Sequence, residues 1–218
     1  MVIDFCSLKP FAFGVVTCMA ALLYSCGTTN EVSSQADLME YVADEGHGLS
    51  ITSETGGIET SCSLKPTDLL VLQELEASTM NVSVQEIKSG YEENLYFILS
   101  YSYEGGELVT APNLSIEGYS DLVQIFSYGL AEYITLSTST GKKIDLKYSA
   151  FQPTYGSGAS SSLLLVFPRQ DIHHEDWVQV NVREMGLGTG KLSFRYLVKD
   201  INDIPSLSNT VFSEYIAK

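Results

Sequence analysis

The chain has 218 residues, with 27 Asp and Glu against 12 Lys and Arg, and a formal net charge of −15. That balance argues against nucleic acid as a partner and against a polybasic membrane patch, because both need clustered cations. At 44% hydrophobic and 11% aromatic residues the chain can build a core, and its 13 tyrosines lean it toward strand.

From Phe11 to Tyr24 the chain is apolar, interrupted by Gly14, Thr17 and Cys18. This run matches a signal-peptide core and falls short of the ~20 residues a spanning helix needs. Lys9 and the terminal amine supply positive charge, and Asp4 opposes them. Leu23, Ser25 and Cys26 then stand at −3, −1 and +1 of a cleavage point. They resemble the lipobox of bacterial lipoproteins, in which the cysteine thiol is acylated before cleavage just upstream. The resemblance implies a cleaved signal peptide over residues 1–25, a lipidated Cys26 and a bilayer as the first partner. Each buried methylene contributes about 0.8 kcal/mol, so two or three acyl chains hold stably where one binds marginally. Gly27, where an aspartate signals inner-membrane retention, implies the outer membrane. The lack of an acidic run over 27–31 implies the periplasmic face rather than the cell surface.

The first 25 residues hold one acid and one base, so the 193 residues from Cys26 keep the charge of −15. Cys6 and Cys18 leave with the signal and Cys26 is lipidated, so Cys62 is left alone and no intrachain disulfide forms. A small hydrophobe packed in a strand is the expectation for Cys62.

Residues 26–37 read as the lipidated cysteine and a flexible polar tether, and residues 38–218 as one β-rich domain with short N-terminal helices. Asp37 to Glu45 places Leu38, Tyr41 and Val42 at helical spacing, with Gly46 as the stop. Leu49 to Ser53 and Ile58 to Leu64 alternate about Gly56-Gly57, a hairpin signal. In Thr67 to Ala77, Leu69, Leu72 and Leu75 recur at helical spacing behind Pro66, with Thr67 as the expected cap. A second helical piece is expected over Val84 to Ser89. Leu95 to Tyr103 reads as an aromatic strand, and Tyr119 to Tyr128 as a helix with Leu122, Ile125 and Phe126 on one face. Strands follow at Tyr133–Thr138, Lys143–Phe151, Leu163–Phe167, Trp177–Arg183 and Lys191–Lys199, with a last apolar piece at Val211–Ile216. Glycine-bearing turns separate most of these strands. The fold class is therefore mainly β with a few short helices (α+β), as an antiparallel β-sandwich or open barrel.

The N-terminal helix, the hairpin, the segment Lys65-Pro-Thr-Asp-Leu-Leu-Val-Leu-Gln-Glu-Leu75 and the C-terminal β-meander together resemble uncharacterised lipoproteins of Bacteroidota. The resemblance implies an envelope lipoprotein and offers no catalytic residue to transfer. The function expected is a non-catalytic domain that binds or scaffolds another envelope component; the alternatives are a sugar- or peptide-binding accessory lipoprotein and a hydrolase assembled from distant carboxylates or His173 and His174.

Other candidate sites are read beside plainer explanations. His173-His174-Glu175-Asp176 is the densest group of metal-ligand types, but adjacent histidines on an extended chain point to opposite faces. A solvated loop before the Trp177 strand is expected. Asp200, Asn202 and Asp203 offer hard oxygens suited to calcium, where a strand-terminating turn explains them as well. Gly186 to Gly190 joins two strands and lacks a Gly-Lys-Ser/Thr ending, so it reads as a hairpin loop rather than a phosphate cradle. Ser139-Thr-Gly-Lys142 has Ser-x-x-Lys spacing at a turn with no companion motif. Paired carboxylates such as Glu92 and Glu93 are sequence neighbours, not acids converging across a cleft. No catalytic residue and no cofactor is assigned. Tyr96, Tyr101 and Tyr103 are candidate contacts for a protein, peptide or glycan if one face of their strand is bare, and core residues if both faces are covered.

Overall fold

The computed structural model describes residues 30–78, 83–108, 111–112, 114–170 and 172–216. The expected signal peptide, residues 1–25, and Cys26 lie outside the described residues. Glycine-turned hairpins and alternating strands build two antiparallel sheets. In the five-stranded sheet the order is β2 (Ser50–Thr55), β3 (Ile58–Leu64), β4 (Asn94–Tyr103), β8 (Ser161–Pro168) and β7 (Tyr148–Phe151). In the four-stranded sheet it is β10 (Leu192–Leu197), β9 (Trp177–Val182), β5 (Ile134–Thr138) and β6 (Lys143–Asp145). Gly56 and Gly57 turn the β2–β3 hairpin with φ of 63° and 79°, the left-handed pair that matches strand twist.

Period-two alternation decides which side chains meet. Cys62 and Leu64 of β3, Phe97, Leu99 and Tyr101 of β4, and Leu163, Leu165 and Phe167 of β8 point inward. Facing them are Val178, Val180 and Val182 of β9 with Phe194 and Tyr196 of β10. Phe97 and Tyr196 lie 5.0 Å apart between ring centres, and the Tyr196 hydroxyl donates to the Cys62 carbonyl at 2.6 Å. The two sheets thus form a sandwich rather than a closed barrel. Cys62 is buried in that core, where burial pushes its thiol up to about 12.

Helices close the molecule on one side. α1 (Gln35–Ala43), α2 (Thr67–Ala77), α3 (Val84–Glu92) and α7 (Asn209–Ile216) share a second apolar cluster of Leu38, Leu72, Leu75, Ile87 and Phe212. Leu70 of α2 meets Tyr96 and Val166 on the outer face of the five-stranded sheet. α4 (Ile116–Gln124), a π-helical turn (Ile125–Gly129) and α5 (Leu130–Tyr133) carry Leu122, Phe126 and Leu130 into the inter-sheet core. The outward positions of the four-stranded sheet are half-buried or exposed.

Several expectations shift. The tether does not run to residue 37: β1 (Glu31–Val32) pairs in parallel with β11 (Ser206–Leu207), and α1 begins at Gln35. Thr67 is the first helical residue of α2 rather than its cap; Pro66 holds the cap position without a side-chain bond. Lys143–Phe151 is not one strand but β6 and β7, in different sheets. The break at Leu146-Lys147 is fixed by Leu146 packing on the core and by Lys147, whose amide donates to Val166 O and whose ammonium donates to Asn94 Oδ1. Beyond Leu197 the chain turns into α6 (Val198–Asn202), burying Val198 and Ile201.

Candidate functional site

Trp177-Val-Gln-Val-Asn-Val182 alternates so that the valines face the core and Trp177, Gln179 and Asn181 face out. Leu192-Ser-Phe-Arg-Tyr-Leu197 does the same, leaving Ser193, Arg195 and Leu197 outside. Register then aligns them: Arg195 lies opposite Gln179 and Ser193 opposite Asn181, while β5 sets Ser137 beside Gln179 and Thr135 beside Asn181. On β6, Lys143 pairs with Ser137 and Asp145 with Thr135.

The outward side chains are locked to one another. Arg195 Nε donates to Gln179 Oε1 at 3.1 Å, and Gln179 Nε2 donates to Asn181 Oδ1 at 2.7 Å. Asn181 Nδ2 donates to Ser137 Oγ at 2.9 Å, and Ser193 Oγ donates to Asn181 Oδ1 at 3.2 Å. The Arg195 guanidinium sits 4.0 Å over the Trp177 ring, and the Arg183 guanidinium 5.7 Å over Tyr133. Stacking fixes a guanidinium while leaving most of its five N–H donors for a ligand or water. The face is therefore an ordered array of amides, hydroxyls and cations, with little side-chain freedom left to lose on binding.

Loops at both ends of this face are tied by carboxylates. Glu175 accepts from Ser139 Oγ at 2.6 Å, the Thr140 amide at 2.9 Å and Thr140 Oγ1 at 2.6 Å. The Ser139 and Thr140 hydroxyls hold its carboxyl down to about 2. Glu184 accepts from the amides of Leu187 at 2.6 Å, Gly188 at 2.9 Å and Gly190. Burial pushes the Glu184 carboxyl up, but the Gly188, Gly190 and Leu187 amides outweigh it and hold the group below its ordinary range. The glycine loop is thus a nest of N–H groups filled by the chain's own anion, and it joins β9 to β10 as a hairpin loop.

No protein-family model and no curated protein matches the chain. Among solved structures it is similar to a DUF4426 family protein from Pseudomonas aeruginosa PAO1, at 12% identity and a TM-score of 0.35, covering 68% of this chain and 94% of that one. It is also similar to a protein of unknown function from Burkholderia pseudomallei K96243, at 9% identity and a TM-score of 0.40, covering 78% of this chain and 88% of that one. Likeness at this level carries no residue role across.

Of the three tyrosines singled out on β4, Tyr96 and Tyr101 are core residues and Tyr103 is half-buried. Tyr101 is fully buried against Phe126, its hydroxyl unpaired and pushed upward by burial. Tyr96, 7% exposed, lies beneath α2 and α3, and Tyr103 packs on the edge of the core. Helices cover the outer face of β4 at Tyr96 and the core covers Tyr101, so neither can offer area to a partner. His173 and His174 are exposed, while their neighbour Glu175 is occupied by the β5–β6 turn. Asp200 and Asn202 lie in α6 with Asp203 at its end, rather than in a plain turn, and Asn202 Oδ1 accepts from Arg169 at 3.0 Å. Among the described residues, no three His, Cys, Asp or Glu side chains gather into a metal site.

A cavity of about 190 Å³ opens beside α2, α3 and α6. Several of its polar groups are engaged with one another or with the walls. Asp68 bonds Lys88 at 2.7 Å and the Leu207 amide at 2.8 Å, and Asn94 holds Lys147. These contacts tie α2, α3 and β11 together, which is structural work.

The face on β5, β9 and β10 escaped sequence reading at one step. Alternation marks Trp177, Gln179, Asn181 and Arg195 as outward, but only cross-strand register brings them together.

Proposed function

We propose that this chain is a lipid-anchored, non-catalytic domain of the bacterial cell envelope, attached through an acylated Cys26, that binds another envelope component with the outer face of its four-stranded sheet. The observation that carries the binding reading is the open polar network from Arg195 through Gln179 and Asn181 to Ser137. Helices cover one end of the other sheet's outer face, at Tyr96 and Val166, and a rigid, hydrogen-bonded array on an open sheet face is suited to recognition. Glu175 and Glu184, both held below the ordinary carboxylate range, are engaged by loop donors, which supports a binding role over a chemical one.

The anchor reading rests on Leu23, Ser25 and Cys26, and on the likeness to Bacteroidota lipoproteins, with the periplasmic side of the outer membrane as the address. The fold takes hold of the chain at Glu31. Five residue steps from Cys26 span at most about 17 Å, so the domain would stand close to the bilayer. Among the described residues, no helix is long and apolar enough to cross a membrane.

The test has two parts. Cys26→Ala should release mature-sized protein from membranes or leave an unprocessed precursor; unchanged attachment and processing would sink the anchor. A photo-crosslinking side chain at Thr135 or Ser193 should capture an envelope component that the same probe at Glu54 does not. Equal capture from both positions would sink the binding face.

A further inference from the structure

The net charge of the chain hides a local reversal. The outward positions of β5, β6, β9 and β10, with the alternation carried one step past β9 and one step before β10, hold Lys143, Arg183, Lys191 and Arg195. The carboxylates there are Asp145, which lies 3.5 Å from Lys143 in an exposed pair, and, one step before β9, Glu175, which the Ser139 and Thr140 hydroxyls engage. Four of the chain's 12 Lys and Arg thus lie on one face of a protein of net charge −15. Hydroxyls and amides separate these cations: Ser193 and Asn181 lie between the Arg195 and Arg183 ends, and Ser137 and Gln179 between Lys143 and Arg195.

We propose that the partner of this face is an acidic polysaccharide, a chain of sugars bearing spaced carboxylate, sulfate or phosphate groups; this rests on the binding face argued above and specifies its ligand. The interleaving matches such a polymer, which presents hydroxyls between anionic groups. Amides and hydroxyls serve as both donors and acceptors toward sugar hydroxyls, and the Trp177-stacked Arg195 presents a fork that fits an oxyanion. A polyphosphate backbone of higher charge density meets the field of the remaining acidic surface at close range. A bilayer surface finds few apolar side chains here to insert: Trp177 is covered by Arg195, leaving Leu197 and Tyr133.

The experiment uses detergent-solubilised full-length protein and its Lys143→Gln/Lys191→Gln/Arg195→Gln variant, each checked for an unchanged far-UV spectrum and thermal midpoint. Probes are alginate as an acidic polysaccharide, dextran as a neutral one, polyglutamate as an acidic polypeptide and phosphatidylglycerol vesicles. The expected result is saturable alginate binding that weakens with salt and falls at least about tenfold in the variant, with no saturable binding of dextran or polyglutamate and with vesicle association equal in the two proteins, as the acyl anchor alone would give. Equal binding of dextran, lost on Asn181→Ala, overturns the acidic assignment and leaves the face as a binding site. Polyglutamate binding as tightly as alginate, or vesicle association that falls in the variant as alginate binding does, overturns the glycan assignment. Alginate binding unchanged in the variant, or absent, overturns the proposal, while capture from Thr135 or Ser193 reports on the face independently.

Discussion

Glu175 and Glu184 do the same work at opposite ends of one hairpin, each gathering loop donors that would otherwise be left to water. A carboxylate in such a setting stabilises the fold only while it is ionised. The Glu175 carboxyl, held at about 2 against an ordinary 4.5, binds its proton less readily when folded than when unfolded. Its contribution is therefore complete above about pH 4.5 and is lost as pH falls toward 2. We expect Glu175→Gln to lower the thermal midpoint at neutral pH, and the gap to wild type to close between pH 4.5 and 2. A gap independent of pH over that window would show that the ionised carboxylate is not what ties the turn. Neither role was legible in the sequence. Glu175 reads there as part of a solvated loop beside His173 and His174, because its partners, Ser139 and Thr140, are 36 and 35 residues away.

At the scale of elements, periodicity carried most of the fold. The β2–β3 hairpin, the aromatic β4, the apolar α2 and the helix through Leu122 and Phe126 all stand where spacing placed them. What periodicity could not supply was the change of sheet between β6 and β7, since two β-like stretches look continuous until a lysine side chain finds Asn94 across the fold. For the same reason the second face of β4 was undecided: whether Tyr96 is bare depends on where α2 lands. Asp68 shows how these elements are joined, receiving the Leu207 amide on one oxygen and Lys88 on the other. Asp68→Ala leaves a largely buried amide and a mostly buried ammonium without that partner. It should destabilise the domain by about 1–3 kcal/mol, read from urea unfolding, with earlier proteolytic cleavage near residues 30–34. Unaltered cleavage in a destabilised variant would uncouple Asp68 from the hold on β1.

The molecule as a whole has three layers with unequal exposure: helices, the five-stranded sheet, then the four-stranded sheet with its outer side open. Core strands β4 and β9 each have neighbours on both edges, whereas β1 and β11 form a two-residue pair at the periphery. Native-state amide exchange should follow this order, with Phe97, Leu99 and Val180 among the slowest amides and Ser206 and Ser208 exchanging through low-energy opening. Equal protection of both groups would show that the β1–β11 pair is as firm as the core.

That small parallel pair has a mechanical consequence. If the chain is held at Cys26, as proposed above, any tug between membrane and domain arrives first at residues 30–32, where the Ser206 amide donates to Asn30 O and the Ser208 amide to Val32 O. These bonds would yield before either sheet feels the load. Their parting frees residues 31–34 to extend the leash by up to about 14 Å. The attachment would then work as a shock absorber with two lengths, short at rest and longer under tension, while the recognition face keeps its shape.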